Sequence, residues 1–273
     1  MEQIRADHRA WYELARTQLE AGAQDEALAT VQKAFDERLL WRLGLLDDPA
    51  FDPLRRRREF QRVASDAAKR VKRLKLKPAV LCLPPANGDR RPPLVVGLHG
   101  ANSSAAALIE DWRSAGEAGY MVAAVQSSQP VTEHSFCWDE PEQVRRDLGW
   151  AADRIRTDYR FDPDRVLVAG FSQGAAVAVR LALTQAPIPV RGFLLAAPAL
   201  GRGPAAEPRS QRGIRGAAVL GGDDPWAANF AVHEQRWRKA GIELRVERFP
   251  GLGHSYPEGF AELLPELLGW AMG

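Results

Sequence analysis

The chain has 273 residues, a formal net charge of +2, 45% apolar and 26% charged residues. That length buries a full core and suits one domain of about 200 residues with an appendage. The near-balanced charge gives no global case for nucleic acid or acidic membrane, and no window approaches the roughly 18 apolar residues of a membrane span.

The first twenty residues hold charges throughout and lack the apolar stretch of a secretory leader. With only two cysteines, Cys82 and Cys137, the expectation is free thiols in a reducing, cytoplasmic protein. Apolar residues recur at helical spacing in Trp11, Leu14, Ala15 and Leu19, and again in Ala27, Leu28, Val31, Ala34 and Phe35. Gly22 lies between the runs, where a helix-ending glycine belongs. After a break at Asp47-Asp48-Pro49, a third helix is expected from Pro53 to Leu74.

Residues 55–77 hold eleven Lys or Arg against two acids, Glu59 and Asp66. Phe60, Val63, Ala67, Val71 and Leu74 recur among them at helical intervals, so the charges line one face. Such a helix lies on anionic lipid, or it is a solvated helix packed on the main domain by its apolar stripe; the second reading is preferred. The first hairpin resembles a tetratricopeptide repeat through Trp11, Leu14, Ala15, Ala27, Val31 and Ala34. It departs at Gln18, where that motif has an aromatic, and lacks the closing proline. A single repeat cannot bury its own face. Residues 1–77 are therefore expected to be a helical appendage on the main domain, or a module for a protein partner or a second copy of the chain.

Beyond Pro78 the pattern changes. Short apolar runs at Ala79–Leu83, Leu94–His99, Met121–Gln126, Val166–Gly170, Phe193–Ala197, Ala217–Gly221 and Leu244–Phe249 read as strands. Helices are expected near Ala105–Ala118, Glu142–Tyr159, Gly174–Gln185, Ala227–Ala240 and Gly259–Met272. Strands apolar almost throughout and separated by helices imply an α/β domain over 78–273, a mostly parallel sheet with helices on both faces. Ligands of such sheets sit at the carboxyl ends of strands.

Ser172, in "AGFSQGAAVAVR", stands at such an end. Strand, G-x-S-x-G turn and helix are the setting of a nucleophile elbow; a serine capping the following helix is the plainer alternative. A serine hydroxyl needs a base beside it. His8 lies in the appendage, His134 in a loop, His233 inside a helix and His99 at a strand end, whereas His254 lies in the loop "FPGLGHSYPEG" after the last strand. The acid comes from "VLGGDDPW", where Asp224 is preferred to Asp223. The order Ser172, Asp224, His254 is that of α/β-hydrolases. The amides of Gln173 and Ala101 are expected to form the oxyanion hole, with His99-Gly100 shaping the turn.

The segments "LVVGLHG", "DYRFDPDRVLVAGFSQGAAVAVRLAL", "RGFLLAAPAL", "GGDDPW" and "AGIELRVERFPGLGHSYP" resemble the carboxylesterase/phospholipase branch of the α/β-hydrolase superfamily, which includes the acyl-protein thioesterases. The resemblance covers residues 80–273. It implies a serine hydrolase that cleaves carboxylic esters or thioesters of small or lipid-like acyl groups, with no metal or cofactor and no nucleic acid. It also implies Trp138 as an acyl-pocket wall, a packing tryptophan being the alternative. The chain departs at Ala101-Asn102-Ser103-Ser104, where the family often has a glycine and an acid. Only about twenty residues, "PALGRGPAAEPRSQRGIRGA", separate the strands ending near Ala197 and starting near Ala217, too few and too polar for a large helical lid. A serine peptidase or polyester depolymerase on the same fold is the alternative enzyme, and a binding scaffold with little catalysis the alternative class.

Overall fold

The computed structural model describes residues 8–37, 49–74, 76–131, 135–184, 187–201 and 213–273. The chain divides into two compact units: Met1–Leu76 with Gln129–Phe136, and Lys77–Ser128 with Cys137–Gly273.

In the first unit, helices α1 (His8–Glu20) and α2 (Gln24–Asp36) form a hairpin turned at Gly22, whose φ of 78° is left-handed and suits glycine. A 3-10 segment, Pro49–Leu54, and α3 (Arg58–Leu74) follow. The helix expected from Pro53 thus starts at Arg58, because Pro53 closes a tighter turn first. Trp11, Tyr12, Val31, Phe51, Phe60 and Val63 share one apolar cluster. Of the apolar stripe of α3, Phe60, Val63 and Ala67 belong to this cluster. Gln18, in place of the aromatic, accepts from the Thr30 hydroxyl at 2.7 Å.

The second unit is built on a seven-stranded sheet. Its strands are β1 (Ala79–Leu83), β2 (Leu94–Leu98), β3 (Met121–Gln126), β6 (Val166–Phe171), β7 (Gly192–Ala196), β8 (Arg215–Gly221) and β9 (Glu243–Phe249); Gln129–Pro130 (β4) and Phe136–Cys137 (β5) form a separate ribbon. The spatial order is β1-β3-β2-β6-β7-β8-β9, with only β1 antiparallel to its neighbour. Alternate side chains of each strand point to opposite faces. Leu94, Val96 and Leu98, with Val166 and Val168, pack on one side against α6 (Pro141–Asp158) and α7 (Gln173–Leu183). Val95, Leu167 and Ala169 pack on the other side against α4 (Ala105–Asp111) and α9 (Phe260–Met272). The remaining helices are α5 (Arg113–Glu117) and α8 (Ala227–Lys239).

The helix expected over Ala105–Ala118 breaks at Trp112, whose φ of −108° and ψ of 17° interrupt it and turn the indole fully into the core. Strand order reverses between β2 and β6: the chain runs outward from β2 to β3, then returns to build the other half. Crevices at such a switch point, outside the carboxyl ends, hold the ligands of open α/β sheets. The turns after β2 and β6 meet there. Cys82 and Cys137 are both free thiols. No helix among the described residues is long and apolar enough to cross a membrane.

Candidate active site

Ser172 follows β6 directly and opens α7. Its φ of 53° and ψ of −118° place a non-glycine residue in a rarely populated region, a strain on the order of 1–3 kcal/mol that concentrates at functional sites. Neighbours hold it there: its N–H donates to Ala196 O at 2.9 Å, and its carbonyl accepts from Ala176 at 3.1 Å and Ala199 at 3.2 Å. The two motif glycines are required by crowding. A Cβ on Gly170 would stand 2.6 Å from the Gly174 carbonyl carbon, and one on Gly174 only 2.2 Å from Leu98 O. Although Ser172 occupies the cap position of α7, its side chain makes no capping bond.

The hydroxyl is turned instead to His254: Oγ and Nε2 are 2.7 Å apart, and the other ring nitrogen, Nδ1, is 2.8 Å from Asp224 Oδ2. Asp224 accepts only, so Nδ1 carries the proton and Nε2 is the acceptor for the serine. The Asp224 side chain is 1% exposed and that of His254 21%. The second Asp224 oxygen accepts from the Trp226 amide at 2.8 Å, which fixes the carboxylate. Gly221 admits this loop, since a Cβ there would lie 2.1 Å from Leu252 O. The Asp223 amide donates to Leu252 O at 2.9 Å, tying the acid loop to the histidine loop. Phe171 packs against His254, ring centroids 5.4 Å apart, and against Tyr256 at 4.6 Å. Trp112 donates to the Tyr256 hydroxyl at 3.0 Å, and burial pushes that hydroxyl's pKa up.

His99, at the end of β2, is fully buried. Its Nε2 accepts from the Ser127 amide at 3.3 Å, and Nδ1 donates to Gly100 O at 2.8 Å. Both partners are backbone groups of one role each, so the tautomer is determined. Burial pulls the His99 pKa down to about 4 against the opposing Gly100 bond, and the ring is neutral at pH 7. A trans peptide sets its C=O and N–H in opposite directions; gripping Gly100 O therefore aims the Ala101 N–H. This turn lies against the serine: a Cβ on Gly100 would stand 3.4 Å from Ser172 Cβ. Among the described residues, neither the Ala101 nor the Gln173 backbone N–H is engaged by another protein group.

Asn102 takes the left-handed φ of 61° that closes the turn. Ser104 then caps α4 by accepting from the Ala107 amide at 3.2 Å. That accounts for the stretch that departs from the resembled family.

Trp138 is 4% exposed. Its backbone N–H donates to Gln173 Oε1 and its indole N–H to His99 O, each at 2.8 Å. His233 is buried, with Nε2 2.8 Å from Gly201 O. His134 and most of the segment read as too short for a lid (202–212) lie outside the described residues, as does the side chain of His8. Unforeseen in the sequence is the buried Asp147 of α6, which accepts from the Ser128 amide at 2.8 Å and from Gln143 at 2.7 Å. It anchors the loop whose Ser127 holds His99. The only outward signal was an acid at an apolar position of a helix.

Fold and strand order define an α/β-hydrolase fold, with the Ser172–His254–Asp224 chain at its switch point. Solved structures agree. An uncharacterized protein from Bacillus cereus ATCC 10987 is 24% identical, with a TM-score of 0.60 over 96% of this chain and 86% of that one. Esterase PE8 matches at 0.58, 18% identical, over 72% of this chain and 100% of its own. An S-formylglutathione hydrolase from Agrobacterium tumefaciens matches at 0.55, 17% identical, over 72% and 90%. Among curated proteins, the poly(3-hydroxyalkanoate) depolymerase C of Paucimonas lemoignei is 35% identical over 109 residues, 37% of this chain and 25% of the depolymerase. The matched stretch thus spans a quarter of that relative's length. No protein-family model matches the chain.

Proposed function

We propose that the chain is a serine hydrolase of carboxylic esters, acting through an acyl-enzyme on Ser172. The observation that carries this reading is the unbroken hydrogen-bond chain from Ser172 Oγ through His254 to buried Asp224. His254 Nε2 takes the hydroxyl proton as Oγ bonds to the substrate carbonyl carbon. The carbonyl oxygen becomes an oxyanion held by the amides of Ala101 and Gln173, donors worth roughly 10²–10³ in rate each. Gln173 is also the first residue of α7, where the helix dipole favours negative charge. Collapse breaks the ester bond, and His254 returns its proton to the leaving alkoxide. Water then attacks the acyl-enzyme, giving one proton to His254; as the second tetrahedral state collapses, His254 returns that proton to Ser172 Oγ, the acyl–oxygen bond breaks and the carboxylic acid leaves. Asp224 holds the imidazole in this tautomer and stabilises its cation throughout.

The protein groups named in these steps all lie in the unit Lys77–Ser128 with Cys137–Gly273. Acyl groups on oxygen or on sulfur fit the same machinery. The depolymerase relative favours one second reading, a hydroxyalkanoate ester as substrate. Turnover of p-nitrophenyl acetate, butyrate and octanoate, of an acyl thioester and of 3-hydroxybutyrate oligomers tests the proposal and ranks the substrates. Wild type is expected to cleave at least one of these, and Ser172→Ala to lose about 10⁴-fold or more. Equal turnover by the two proteins rules the reading out.

A further inference from the structure

We infer that Trp138 is a positioning residue that clamps the two oxyanion donors to one another, an inference that rests on the serine-hydrolase reading. The two donors belong to different elements: Ala101 lies in the turn after β2, and Gln173 at the start of α7. Trp138 reaches both. Its backbone N–H is committed to the Gln173 side chain and its indole N–H to the His99 carbonyl, each at 2.8 Å.

The Gln173 end is fixed in orientation. Its amide oxygen receives a group that only donates, and its nitrogen donates to Asp139 Oδ1 at 2.7 Å, a group that only accepts. Trp138 and Asp139 therefore grip the side chain of the residue whose backbone N–H is one donor. At the other end, the His99 carbonyl opens the His99-Gly100-Ala101 turn that carries the second donor. The Trp138 ring also lies 4.9 Å from the His99 imidazole, the group that aims the Ala101 N–H. With 4% of its surface exposed, Trp138 offers little wall to an acyl chain. Both of its hydrogen-bonding groups are spent on the frame of the oxyanion hole.

The chemical consequence follows from when the donors act. They bind an oxygen whose charge develops only in the tetrahedral state, so their separation sets the height of the barrier more than ground-state affinity. Trp138→Phe keeps the ring but leaves the buried His99 carbonyl without its donor. Its kcat is expected to fall about tenfold while KM stays within about twofold from acetyl to octanoyl esters. A trifluoromethyl ketone supplies the second readout. Ser172 Oγ bonds to its carbonyl carbon, His254 takes the hydroxyl proton and the ketone oxygen becomes the oxyanion. Its inhibition constant is expected to rise about tenfold in parallel with the loss of kcat.

Unchanged kcat and inhibition constant in Trp138→Phe overturn the clamp. A KM that climbs with acyl length at constant kcat also overturns it, in favour of a pocket wall. Gln173→Met removes the acceptor from the opposite end and serves where Trp138→Phe fails to fold; it is expected to show the same split, and wild-type kcat in it overturns the clamp. Wild type that neither cleaves an ester nor carries an activated Ser172 overturns the serine-hydrolase reading and the clamp together. Failure confined to the two variants removes the clamp alone.

Discussion

The two units spend their buried residues differently. The helical unit gathers Trp11, Val31, Phe51 and Phe60 into one apolar cluster, and its polar contacts include exposed ion pairs such as Arg57–Asp25, whose aspartate is 88% exposed, beside the more buried Thr30–Gln18 bond. The sheet unit buries polar groups as well: His99, Ser127, Asp147, Asp224 and His233 are each at most 5% exposed. Removing a polar group from water is costly unless it is hydrogen-bonded. Each of these five has partners at or near the carboxyl ends of strands or in the loops that follow them. Stability in the first unit is a matter of packing. In the second, part of the available stability goes into holding a few groups in fixed protonation and orientation, including the strained Ser172.

The largest effect that separates the units is chemical. Asp224→Ala is expected to cut kcat about 10³–10⁴-fold, because His254 loses the partner that fixes its tautomer. Asp223→Ala, which removes a side chain the His254 ring does not contact, is expected to cost under about tenfold. Steady-state kinetics on one ester compares the two, and the reverse order would reassign the acid.

Next comes Phe51→Ala in the helical unit, which removes a fully buried ring. A cost of about 3–5 kcal/mol is expected in denaturant unfolding, with kcat per active site unchanged by titration. A large loss of kcat there would mean that the helical unit serves the site directly.

The smallest effect is pH-dependent and belongs to the sheet unit. His99 has a folded pKa of about 4 against 6.5 when free, so the unfolded chain binds the extra proton first as pH falls. The stability this neutral ring confers is present above pH 6.5 and is lost between 6.5 and about 4, on the order of 3 kcal/mol. Unfolding free energies at pH 7 and pH 4 check it. His99→Asn is expected to flatten that part of the profile.

Most of the sheet was legible because strands buried on both faces read as apolar runs, and because chain order alone places Ser172, Asp224 and His254 after β6, β8 and β9. The break at Trp112 was not, since the helical periodicity runs through it and only the fit of the indole into the core interrupts it. The approach of Gly221 to Leu252 was likewise hidden, being a contact between loops distant in sequence. Trp138 shows the limit most clearly. Its neighbourhood marks it as close to the site, yet the two hydrogen bonds that define its place run to His99 and Gln173, 39 and 35 residues away. No local pattern encodes such bonds.

The most direct measurement is the intact mass of the full chain after treatment with a fluorophosphonate, for wild type and Ser172→Ala. A single adduct on wild type that the variant lacks is the expected result, since only an activated hydroxyl displaces the fluoride. Folded wild type without an adduct, or an adduct of equal extent on Ser172→Ala, would contradict the assignment of Ser172 as the nucleophile.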